Sequence, residues 1–114
     1  MRIRNVIFYV RNIQKSKEFY HKLGFNLVQD FGNFVSYDVG QKDQYFSIMQ
    51  SDDEMKVPGK QVCVFWTDNI HELFEKVNQI NIKGEDQITK ASYGETLTIW
   101  DFDGNKIEFV QEKQ

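Results

Sequence analysis

Cysteine, proline and histidine are all scarce in this chain. A single cysteine, Cys63, excludes an internal disulfide. It lies in an apolar run, where a buried, inert thiol is expected rather than a nucleophile. Two histidines, His21 and His71, leave little imidazole for metal chemistry or for a nucleophile–base pair. The lone proline, Pro58, precedes Gly59 in a polar stretch, residues 51–60, that reads as a linker. No basic run stands out against a net charge of −3, which argues against nucleic acid as a partner. No apolar span reaches the ~18 residues that a membrane crossing needs, and no apolar leader precedes the first strand pattern. The expected compartment is therefore the cytoplasm, with no membrane partner. The acidic cluster at residues 51–54 lacks the ligand spacing of a calcium loop and reads as a solvated turn.

What the chain does have is aromatic carbon: ten Phe, five Tyr and two Trp in 114 residues. So many rings fit either a dense core or a ring-lined pocket. Residues 3–10 are β-branched and aromatic and read as a strand. Asn12 then offers an N-cap to a helix over 13–23, where Ile13, Phe19, Tyr20 and Leu23 recur at helical spacing. Gly24 is placed to end it in a left-handed turn. Three short strands follow at 25–30, 34–39 and 45–50, separated by Gly32-Asn33 and by a turn at 40–43. Beyond the linker the pattern returns. A strand at 61–67 leads through Asp68 or Asn69 into a helix at 70–80 with Ile70, Leu73, Phe74, Val77 and Ile80 on one face. A weak strand at 81–83 and firmer ones at 96–101 and 106–111 complete it, the last two joined by Asp103-Gly104-Asn105.

The second half thus repeats the first. Val10-Arg11-Asn12-Ile13 aligns with Thr67-Asp68-Asn69-Ile70, 57 residues further on, which is half of 114. The fold class expected is α+β, built from two βαβββ modules within one domain over 1–114: module 1 at about 1–50, a linker at 51–60, module 2 at about 61–114.

Two motifs carry a resemblance. The stretch from Val10 through Ser16, Phe19, Tyr20, Leu23 and Gly24 to Phe25 resembles the helix signature of the vicinal oxygen chelate superfamily, with Asn12 where Asp is usual. Asp101-Phe102-Asp103-Gly104-Asn105-Lys106-Ile107-Glu108 is similar to that family's C-terminal hairpin, with Phe102 in place of proline. The resemblance covers nearly the whole chain. It implies the glyoxalase/bleomycin-resistance fold, a U-shaped eight-stranded cleft between modules, and a homodimer. Whether the two modules pair within one chain or across two stays open. In metal-using members the ligands occupy four positions, which fall here on Asn5, Ser47, Val62 and Glu108. Only Glu108 is a strong ligand for a divalent ion, so no metal and no cofactor is expected.

Strand alternation from those positions defines the cleft face. It sends Ile3, Asn5, Ile7 and Tyr9 inward, then Tyr45, Ser47 and Met49, then Val62, Val64 and Trp66, and finally Thr96, Thr98, Trp100, Lys106, Glu108 and Val110. The residues in between are apolar and suit packing under helices, and a one-residue slip would bury Lys106 and Glu108 there. Such a face suits a flat aromatic or amphipathic molecule. Tyr9, Trp66 and Trp100 would supply stacking faces, and Glu108 would meet a cationic group. The function expected is therefore metal-free binding of a small organic molecule, of the kind the resemblance associates with drug-sequestering resistance proteins. A metal-dependent lyase, isomerase or dioxygenase of glyoxalase type, using Glu108, is the alternative. An accessory protein with no ligand is the third reading, in which the rings only fill a collapsed cleft.

Overall fold

The computed structural model describes residues 1–113 and divides them as β1 (Asn5–Val10), α1 (Ile13–Leu23), β2 (Leu27–Asp30), β3 (Phe34–Asp38), β4 (Tyr45–Gln50), β5 (Val62–Trp66), α2 (Ile70–Gln79), β6 (Thr89–Ala91), β7 (Gly94–Trp100) and β8 (Lys106–Glu112). Each half is βαβββ. The sheets run β1-β4-β3-β2 and β5-β8-β7-β6, with the first and last strands of each module parallel and the other pairs antiparallel. Among the described residues no helix is long and apolar enough to cross a membrane.

The two helices begin in the same way. Asn12 Oδ1 accepts from the backbone N–H groups of Gln14 and Lys15, both at 3.1 Å, and Asn69 Oδ1 accepts from that of Glu72 at 3.1 Å. Each first turn is then tied to its own sheet by a glutamine. Gln50 Oε1 accepts from Ile13 N at 2.9 Å, and Gln111 Oε1 accepts from Ile70 N at 2.7 Å. Free donors at a helix start are costly when half-buried, so a side chain from the last strand of the module serves as their partner. Gly24 ends α1 at φ 98°, where a side chain would be strained.

The helices do not flank the molecule. Phe65 of β5 packs edge-on against Phe25 and Phe46 of module 1, with ring centroids 5.4 Å away in each case, and lies over Phe109 of its own sheet at 5.9 Å. The helix-bearing faces of both sheets therefore meet in one cluster that includes Phe8, Phe19, Tyr20, Phe46 and Ile48 from module 1 and Ile70, Leu97, Ile99 and Ile107 from module 2. Each such ring or aliphatic side chain, fully buried, contributes about 1.5–3 kcal/mol. The opposite faces turn outward, and within one chain they do not close over each other.

A buried polar joint fixes the two modules together. Asp101 accepts from the Tyr20 hydroxyl at 2.9 Å, from Asn105 Nδ2 at 2.9 Å, and from the backbone N–H groups of Asn105 and Asp103 at 2.9 and 3.0 Å. Asn105 Nδ2 also donates to Tyr9 O, and its Oδ1 accepts from Gly59 N and Gln61 N. Arg11 adds an ion pair to Asp103 at 3.0 Å. Gly59 sits at φ 85° so close to the 103–104 turn that a Cβ would collide with the Asp103 carbonyl oxygen.

Several boundaries differ from the sequence expectation, most of them by one or two residues. Residues 81–83 are not a strand; Lys83 O only accepts from Trp100 N at 2.9 Å, and Gly84 bridges Ile99. The sixth strand is instead Thr89–Ala91, whose polar composition carries no alternation; pairing with β7 makes it a strand. The first strand starts at Asn5, leaving Ile3 outside it and 67% exposed, while the last runs on to Glu112.

Candidate functional site

The expected cleft residues divide between two outward sheet faces. On the module 1 face, Asn5 lies opposite Tyr45, Ile7 opposite Ser47 and Tyr9 opposite Met49. Ser47 is fully buried and donates to Asn5 Oδ1 at 2.8 Å, and its oxygen lies 2.8 Å from that of Ser36. Ser36 is a residue the sequence reading missed, although the alternation that sends Val35 and Tyr37 to the helix points it here. Arg4 lies over the Tyr45 ring at 4.9 Å.

On the module 2 face, Val64 lies opposite Glu108, which in turn faces Thr98; Trp66 faces Val110, which faces Thr96; and Val62 and Trp100 flank Lys106. The pairing of Ser36 with Ser47 is matched by that of Thr98 with Glu108. Exposure separates this sheet's edge from its centre. Val62, Val64 and Trp66 are 59%, 55% and 80% exposed, whereas Thr96, Thr98 and Val110 are buried at the bottom of the curved surface. Among the described residues Glu108 makes no ion pair. At the end of β5 and β8 a depression of about 540 Å³ is lined by Trp66, Asp68, Val110, Glu112 and Lys113. Glu112 shares the face of Glu108 and Val110, and was missed because the last strand was ended at Gln111.

The structure does not bring these two sets together within one chain. Asn5 and Ser47 belong to one sheet, Val62 and Glu108 to the other. The four positions that hold metal in the resembling family do not fit a divalent ion here. Asn5 Oδ1 is already engaged by Ser47, Val62 offers no donor, and one carboxylate remains. Among the described residues no three His, Cys, Asp or Glu side chains converge. His21 and His71 are exposed on the helices, and His71 Nε2 lies 3.3 Å from Glu95. Cys63 is half-buried on the helix side, and burial pushes its thiol up, away from a reactive thiolate.

These features define a class. The chain belongs to the glyoxalase-like domain family, whose model matches residues 3–113, and it has the glyoxalase/bleomycin-resistance fold. No curated protein matches it in sequence. Among solved structures it is similar to TnmS3, an antibiotic binding protein from Streptomyces sp. CB03234, with a TM-score of 0.80 and 20% identity over 99% of this chain and 97% of that one. It is also similar to TioX from Micromonospora sp. ML1, with a TM-score of 0.81 and 12% identity over 99% of this chain and 100% of that one. The fosfomycin resistance protein FosX from Listeria monocytogenes aligns with a TM-score of 0.77 and 12% identity, over 99% of this chain and 94% of that one.

Proposed function

We propose that this protein binds, without transforming it, a flat aromatic small molecule bearing a cationic group, on the outward face of β5, β8 and β7. The observation that carries this reading is Glu108, unpaired among the described residues and opposite Val64, with Trp66 80% exposed further along the same edge. A ring laid on Trp66 and Val64 would set its cation toward Glu108 or Glu112, where a charge-assisted contact is stronger than in open water. Tyr9, Met49, Asn5 and Ser47 form the second half of the surface, and Thr98 and Trp100 the far wall. TnmS3, an antibiotic binding protein, lends support to sequestration of a drug-like molecule as the purpose.

The same reading includes a homodimer in the cytoplasm. The helix faces meet inside each chain, and the β5 edge is left with three large apolar side chains in water. A second copy, related by a two-fold axis, would lay its module 1 face over this one and complete two identical clefts.

The test is a titration with 2-naphthylmethylammonium, followed by tryptophan fluorescence in the presence of chelator. Saturable quenching is expected, weakened about ten-fold in Glu108→Gln and more in Trp66→Ala. Unchanged affinity in both variants would remove the reading, and quenching abolished by chelator would favour the metal-dependent alternative. Light scattering should give twice the chain mass.

A further inference from the structure

A groove of about 720 Å³ lies where α1 of module 1 meets the exit of α2 and the β7–β8 turn of module 2, sharing Trp100 with the far wall of the surface described above. Its apolar lining comes from Phe19, Ile80, Ile82, Trp100 and Phe102. Phe102 stacks edge-on over Phe19 at 5.4 Å and remains 71% exposed, leaving most of its ring open to a ligand. The chain leaves α2 through Asn81 at φ 55°, which starts the Ile80–Ile82 wall.

The charge around this floor is net positive. Lys15, Lys22 and Lys83 stand at the rim with Glu18. Lys22 Nζ pairs with Glu18 Oε1 at 3.1 Å, so these two cancel. Asp101 lines the groove but is only 6% exposed, and its oxygens are taken by Tyr20, Asn105 and Asp103. Among the described residues Lys15 and Lys83 have no carboxylate partner, and Lys83 Nζ lies 5.9 Å from the centre of the Trp100 ring. The three lysines thus outnumber Glu18 and the buried Asp101 by one charge, and Lys15 and Lys83 stand outside any ion pair among the described residues, beside an aromatic floor.

We propose that this groove is a second ligand site, for an aromatic carboxylate or sulfonate, with the ring on Phe19, Phe102 and the two isoleucines and the acid group between Lys15 and Lys83. The site is chemically opposite to the Glu108 face, which favours cations, and shares only Trp100 with it.

The experiment uses the full-length chain with 2-naphthoate as probe and amide chemical shifts as the readout. Saturable shifts are expected at residues 80–83 and 102 and along the α1 face that carries Lys15. The neutral analogue 2-naphthylmethanol should bind about five-fold more weakly, and Lys15→Glu with Lys83→Glu should weaken 2-naphthoate about ten-fold. Both lysines are exposed, so these variants keep the fold; Phe102→Pro, which removes the floor ring, should weaken both probes. Shifts confined to residues 62–66 and 108–112, equal affinity for acid and alcohol, indifference to the lysine reversals, or no binding at millimolar probe would each overturn the proposal. Glu108→Gln should leave the 2-naphthoate affinity as it was, which separates this site from the one proposed above.

Discussion

Asn105 is fully buried, and its amide contacts four groups on three segments: Tyr9, Asp101, Gly59 and Gln61. Removing it would orphan the Tyr9 carbonyl and two N–H groups at once. Asn105→Ala should therefore cost about 3 kcal/mol in urea unfolding, well above an ordinary surface change. Tyr37 is the converse case. Its hydroxyl is the one buried side-chain polar atom among the described residues without a hydrogen-bond partner, so Tyr37→Phe should leave stability unchanged or raise it by up to about 1 kcal/mol. Burial, reinforced by the charge of Asp30, pushes the Tyr37 phenol up to about 12. The unfolded chain releases that proton nearer 10. The stability tied to this proton is intact below pH 10 and is lost as pH rises toward 12. Tyr37→Phe should flatten that fall in part only, because burial and Asp101 also raise Tyr20. In phenolate absorbance, the step that Tyr37→Phe removes should lie toward pH 12 and not near 10.

At the scale of elements, the α1 and α2 starts depend on a capping asparagine and on a glutamine from the closing strand. Asn69→Ala and Gln111→Ala should each cost about 1 kcal/mol, and the pair should be non-additive because both hold the same turn. Helices, caps and the main strands were legible in the sequence because each leaves a local signature: helical spacing of Ile13, Phe19, Tyr20 and Leu23, an Asn before each helix, a Gly after the first. The repeat at 57 residues was legible for the same reason, and the Gln50 and Gln111 caps repeat it in three dimensions. The sixth strand was not legible, since Thr89–Ala91 is a strand only through its neighbour. The two faces of each remaining long strand followed from alternation. Which faces would meet did not, because apolar residues under a helix read alike whether that helix lies outside the molecule or between the sheets. The charged groove at Lys15 and Lys83 was invisible, being assembled from segments far apart in the chain.

The whole molecule depends on close docking of the modules through the 101–105 turn. Gly59→Ala should loosen it, since the added methyl group meets backbone rather than a flexible side chain; a loss of about 2–4 kcal/mol with retained helical signal is expected by circular dichroism during thermal unfolding. The same turn has an effect on how this protein can meet others. Tyr9 carries the backbone donor and acceptor on the side of β1 away from β4, and both are already taken, the N–H by Gln61 Oε1 at 3.0 Å and the carbonyl by Asn105 Nδ2 at 2.9 Å. At that point the margin of the sheet is stoppered by amides and offers no free backbone group to a foreign strand. Ribbon growth at that end of β1 is thereby disfavoured, and an approaching copy meets side chains there instead of free backbone.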